Sequence, residues 1–489
     1  MSTATSSTAY ARKIAARTLP SALFALTLFA MPANADTLAA ALASAYETNP
    51  ELLAQRAVTR QVDESVPQAL SGYRPAIGAT VGFKGNADNF HDDGQVFTAG
   101  GVITQPIYTG GQTKAAVSAS ENAVLAARAQ LRAAENTVMV NVVTAYANVL
   151  AFQRVVELTT NQVKVLGREL QASKDRFEVG DLTRTDVAQS EARLSRSQSG
   201  LITSQGLLSV AREAYLRVVG RLPLDLAPMP PLPTLPGTPG QAVDIADRNN
   251  PSLVAARFSE AAARYNVRQL EGQRLPTVAA SAGLGYANYS GATTSVPNGD
   301  YFTQNIGVSA TVPLYQAGAV GSIIRQAQEL RSQRLEQITA TERVVVEATT
   351  NSFSNVETAR ATISSAEVGV QANTLALEGV KQENQVGSRT LLDVLNAEQE
   401  LLTSQVDLVQ AKRDEYVASY QLLASMGLAE ASVLQVPVAP YDSTANGKRV
   451  RGIWSDWNTN PNPAPLPLPQ PAAASQSVSD FVPITVAPR

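Results

Sequence analysis

The stretch Gln112–Glu178, QTKAAVSASENAVLAARAQLRAAENTVMVNVVTAYANVLAFQRVVELTTNQVKVLGRELQASKDRFE, decides the fold. It runs about 67 residues without a proline, and as one helix it extends roughly 100 Å. No single globular domain accommodates that length. Its apolar positions show how it is covered. Val117, Val124, Leu131, Val138 and Phe152 fall on one seven-residue series, and Val142, Val149, Val156, Val163, Leu170 and Phe177 on a second. Such a heptad seam predicts packing against other helices as a coiled coil.

Working outward, the seam recurs. Ile324, Ile338 and Val345 repeat the first series and Val356, Ile363, Val370 and Leu377 the second, all displaced by 207 positions. The same displacement relates Pro106-Ile107-Tyr108 to Pro313-Leu314-Tyr315, Val179-Gly180 to Val386-Gly387, and Asp186-Val187 to Asp393-Val394, while Asn49-Pro50 recurs 201 positions on as Asn250-Pro251. The chain is therefore one unit written twice. Each unit predicts a helix of about 35 residues, two extended segments, a very long helix and a shorter return helix. Gly180 and Gly387 fall where the long helix stops and the chain reverses, as a helix C-terminus favours.

The extended segments are about 76–87, 96–107, 278–289 and 301–314. In the last, Phe302, Ile306, Val308, Ala310 and Val312 share one face, and in the third Val278, Ala280, Ala282, Leu284 and Tyr286 do so. About 11 residues suits a tilted membrane-spanning strand. Four strands cannot close a barrel, because lipid does not tolerate an open edge, so a membrane location requires several chains. The alternative is a periplasmic coiled-coil structural or adaptor protein whose hairpins meet partners rather than lipid.

Residues 1–35 read as a secretory signal: Arg12, Lys13 and Arg17 precede an apolar core from Leu19 to Met31 and the small-residue site Ala33-Asn34-Ala35. The first unit then covers 36–222, a Pro-rich linker 223–240, the second unit 241–428, and a Pro-rich tail 429–489 expected to be disordered. Charged residues make up 17% of the chain, low against roughly 25% in soluble proteins. Something other than an ordinary charged surface covers it. One histidine and no cysteine exclude His/Cys zinc sites, iron–sulfur clusters, thiol nucleophiles and disulfides. No Ser/His/Asp set can be assembled, so no enzyme, cofactor or metal is expected, and the slight acidity gives no footprint for nucleic acid.

The duplicated unit, the Pro-led start of each long helix, and the segment Val386-Gly387-Ser388-Arg389-Thr390-Leu391-Leu392-Asp393-Val394-Leu395-Asn396-Ala397-Glu398 together resemble the TolC-type outer-membrane efflux protein family. The resemblance spans residues 37–427. It implies a homotrimer in the outer membrane of a Gram-negative bacterium: a 12-strand β-barrel continued by a 12-helix periplasmic α-barrel. It further implies an exit duct for drugs, toxic small molecules or type I secreted polypeptides, served by a periplasmic adaptor and an inner-membrane pump. By that resemblance Arg389, Thr185 and Asp186 form a gate latch between hairpins, with Asn384 where the family has a tyrosine. Asp393 lines the pore entrance, with Asn396 in place of a second aspartate. Val179, Gly180, Val386 and Gly387 are the adaptor-docking tips.

Overall fold

A computed structural model describes residues 36–88, 91–291 and 297–460. The first unit contains α1 (Leu38–Thr48), α2 (Pro50–Asp63), α3 (Ser65–Ser71), β1 (Ala76–Asp88), β2 (His91–Tyr108), α4 (Gln112–Glu178) and α5 (Arg184–Val219). The second contains α6 (Pro239–Asn249), α7 (Pro251–Glu271), β3 (Thr277–Gly291), β4 (Gly299–Thr311), α8 (Ala319–Gln385) and α9 (Leu391–Ser425), and α10 (Ala445–Arg451) follows. Both long helices, α4 and α8, have 67 residues.

The helix expected to run unbroken for about 35 residues before each strand pair is split, at Asn49-Pro50 and at Asn250-Pro251. Proline at the first position of a helix fits, because its missing N–H had no partner there. The preceding asparagine does two things. Asn49 Oδ1 accepts from the backbone of Glu51 and Leu52, while its Nδ2 donates to Val218 O at the end of α5, 2.9 Å away. Asn250 repeats this, accepting from Ser252 and Leu253 and donating to Ser425 O in α9 at 2.8 Å. One side chain thus caps a new helix and ties it to the end of another. As a result α5 and α2 stack on one flank of α4, and α9 and α7 stack between α4 and α8.

The seam of α4 is best covered at mid-height. Val138, Val142, Val143, Tyr146 and Val149 are fully buried there with Leu42, Tyr215, Leu422 and Met426. This stretch gives α4 an 18-residue window apolar enough to cross a membrane by composition, but more than half of it is buried within the protein. Tyr146 is a packing residue whose hydroxyl donates to Asp36 O and Ala227 O. Toward the tip Val163 and Leu170 are only half-buried and Phe177 is exposed.

The strands form one antiparallel sheet in the order β1-β2-β3-β4, leaving β1 and β4 as edges. Register sets Ile77 opposite Ile103, Phe83 opposite Phe97, Ala282 opposite Ile306, and Tyr286 opposite Phe302. Residues directly opposed in an antiparallel pair point to the same side, so Ile77, Val81, Phe83, Phe97, Leu284, Phe302, Ile306 and Val308 form one exposed apolar face. The other face carries Thr80, Lys84, Thr98, Ser281, Thr303, Asn305 and Ser309 among glycines.

Residues 429–460, expected to be disordered, are folded instead. Ala429, Ala431, Val436 and Val450 are buried, and Glu135 Oε1 accepts from Ala431 N at 2.7 Å. Composition misled because these few apolar groups all face one receptive surface. Within the basic run, Lys448 and Arg449 are exposed and Arg451 pairs with Glu121 at 3.0 Å. The remainder of the tail and the secretory signal expected over 1–35 lie outside the described residues.

Candidate functional site at the hairpin tips

The two tips have the same construction. Each long helix ends at a valine, Val179 or Val386, followed by a glycine in the left-handed region, Gly180 at φ 83° and Gly387 at φ 81°. A side chain here would meet no neighbouring atoms, so the glycines serve backbone conformation alone. Both valines are 80% exposed. Water is a poor environment for a paired set of branched apolar side chains, which suits them to a contact surface.

Each return helix starts with a capping box. Thr183 Oγ1 accepts from Asp186 N while Asp186 Oδ2 accepts from Thr183 N at 3.0 Å and from its hydroxyl at 2.7 Å. Thr390 and Asp393 do the same, at 3.1 and 2.8 Å. These bonds to Thr183 and Thr390, hydroxyl and backbone together, hold both carboxyls below the usual aspartate range. Asp186 and Asp393, expected to act in a latch and a pore ring, are thus also the residues that start α5 and α9. The pattern Thr-x-x-Asp signals this in the sequence.

Within the chain Arg389 does not meet Thr185 or Asp186. It pairs with Glu383 at 2.9 Å, which together with Asp393 favours its charged form, and Asn384 Nδ2 donates to Arg389 O at 2.8 Å. Thr185 is exposed on the first turn of α5. Asn396 accepts from Arg193 of α5 at 2.5 Å, so it joins the two hairpins.

Further contacts between hairpins were not read from the sequence. Leu166 packs with Leu391 and Leu395, flanked by Leu182 and Leu194. Close by, Lys381 Nζ lies 2.8 Å from Glu398 Oε1, whose side chain is only 2% exposed. Neither Glu398 oxygen receives a well-directed hydrogen bond, so charge alone holds this pair. Burial first, and then the Glu398 charge, raise the Glu169 carboxyl above its ordinary range, against opposing effects of Lys381 and Arg176. Among the described ion pairs none joins Lys174 to Glu191, the matching residues of the first unit. A heptad count places these residues near the seam but does not say which neighbour closes over them.

Comparison with known proteins resolves what such an assembly belongs to. The family model described as outer membrane efflux protein matches residues 41–221 and 242–428. The chain belongs to the outer membrane efflux protein family. It is 34% identical over 422 residues to the outer membrane efflux protein BepC of Brucella suis, covering 86% of this chain and 92% of that protein. It is 27% identical to the alkaline protease secretion protein AprF of Pseudomonas aeruginosa, covering 66% and 68% of the two chains. Among solved structures it is similar to the Vibrio cholerae outer membrane protein VceC, with a TM-score of 0.69 and 21% identity over 80% of this chain and 96% of that one. The Campylobacter jejuni outer membrane channel CmeC matches at a TM-score of 0.70 and 16% identity, covering 85% and 89%. The efflux-family chain is accordingly an outer-membrane exit duct with a helical periplasmic extension, not a periplasmic adaptor.

Proposed function

We propose that three copies of this chain close one duct, and that its tips are a gate opened by a periplasmic adaptor bringing an inner-membrane pump. The observation that carries the trimer is the four-stranded sheet: its apolar face is exposed along the strands and both edges, β1 and β4, are open. Three such sheets joined edge to edge form a 12-strand barrel with no edge left in lipid. The free flanks of the helical layer, α5 with α2 and α8, then meet between copies and cover Phe177 and the half-buried lower seam.

In that ring Asp393 is repeated three times around the narrow end, which makes the entrance attractive to cations. Asn396 adds no charge there. Asp186 uses Oδ2 for its cap, so Oδ1 remains to accept Arg389 from the adjoining hairpin, beside Thr185. The adaptor is placed at Val179-Gly180 and Val386-Gly387, six exposed apolar points on the trimer. Toxic small molecules are the favoured cargo, on the stronger likeness to an efflux protein than to a protease secretion protein.

The test has two parts. Cross-linking of detergent-purified protein is expected to give a trimer; a monomer in every mild detergent would remove the closure argument. A deletion strain is expected to become sensitive to detergents and dyes. Normal resistance with loss of a secreted polypeptide would reassign the cargo.

A further inference from the structure

We propose that the segment after α9 is a membrane-interface strap, and that Trp454 and Trp457 dock into the periplasm-facing phospholipid leaflet around the base of the barrel. The inference rests on the outer-membrane location of the strands. Its first support is the path of the chain. Ala431 is bound by Glu135, Glu430 pairs with Arg132 at 2.6 Å, Gly447 lies against Arg128, and Arg451 pairs with Glu121. Those partners on α4 run from 135 back to 121, so the segment climbs toward the sheet by roughly 21 Å at about 1.5 Å per residue. At the top Arg74, two residues before β1, donates to Ile453 O at 2.7 Å and stacks its guanidinium 4.6 Å from the centre of the Trp454 ring.

The second support is where the indoles are left. Trp454 is 67% and Trp457 94% exposed, although indole rings in a folded chain are ordinarily mostly covered. Trp454 stands at the height where the strands meet the helices, and Trp457 follows three residues on. Tyr73 before β1, Tyr108 closing β2 and Tyr315 after β4 are exposed at that level. Tryptophan and tyrosine favour the headgroup level, with an apolar ring on one side and a polar N–H or O–H toward water.

The chain supplies its own reporter, since these are its only two tryptophans. Full-length protein would be reconstituted into phosphatidylethanolamine/phosphatidylglycerol vesicles whose acyl chains carry bromine at shallow or deep positions. The expected result is loss of tryptophan emission to bromolipid, stronger for shallow than deep bromine, with protection from aqueous iodide. The variants Trp454→Phe and Trp457→Phe, each leaving one indole, should both report it. Undiminished iodide quenching without bromolipid quenching would overturn the proposal. So would quenching by neither, which would mean that protein covers the indoles. Vesicle flotation separates the levels: a protein that floats without bromolipid quenching refutes only the strap, whereas one that fails to float refutes the membrane reading beneath it.

Discussion

Replacing Arg389 with serine isolates the latch from the helix cap it touches. In a trimer the substitution removes three wet, charge-assisted contacts, each weak because it is exposed to solvent. Together they bias the closed form by about 3- to 150-fold in the open-to-closed ratio. Some of that gain is offset, because Arg389 also leaves Glu383 without its partner. Thr183→Ala is the companion variant: it deletes the hydroxyl bonded to Asp186 yet leaves the carboxylate available to Arg389. Loss of such a cap costs about 1 kcal/mol of local helix stability. Single-channel recording in planar bilayers measures both. Arg389→Ser should raise open probability within the stated range, and Thr183→Ala should fray α5 with a smaller effect on conductance. If Thr183→Ala opened the channel while Arg389→Ser left it unchanged, the cap and not the latch would hold the gate.

Asn250→Ala should cost about 2–3 kcal/mol, combining a lost cap with an unpaired carbonyl at the end of α9, whereas Asn250→Ser should retain much of the cap; thermal dissociation of the trimer followed by gel checks this. Asn396→Asp should increase cation selectivity only slightly, because Arg193 already sits against that side chain and would neutralise the new charge; reversal-potential measurements decide it. The raised Glu169 carboxyl adds stability that is complete below its unfolded value of 4.5 and is lost as pH rises through its higher folded value. Asp186 and Asp393, shifted down from 3.8, act oppositely and lose their contribution as pH falls through their folded values. Hydrogen exchange at the tips should therefore quicken as pH rises above 4.5, once corrected for intrinsic rates, and Glu169→Gln should flatten that rise.

The long helices, the hairpin glycines and the sheet faces were legible in the sequence because each rests on a short-range repeat: seven residues for the seams, two for Phe302 to Val312. The break at Asn49-Pro50 was present as a repeated dipeptide, but its meaning depended on the carbonyl of Val218, far away in the chain. The fold of 429–460 was hidden for a similar reason. Its apolar residues are sparse, and only the surface offered by α2 and α4 makes them sufficient. At the tips the residue types were readable, whereas the pairing of Lys381 with Glu398 depends on how the two helices of one hairpin face each other, and that of Arg193 with Asn396 on which hairpins stand side by side. Arg389 shows the limit most clearly: its neighbour within the chain is Glu383, and a partner on another copy cannot be inferred from spacing.

The duplication has a consequence for anything that binds the narrow end. Two tips per chain, matched in length, turn and cap, give a threefold assembly the outline of a hexagon. The match stops at the charges: Lys381 and Glu398 close against each other while Lys174 and Glu191 do not. A ring of six identical partner subunits would thus find six places of one shape but two alternating chemistries, so three of its subunits would meet one kind of tip and three the other.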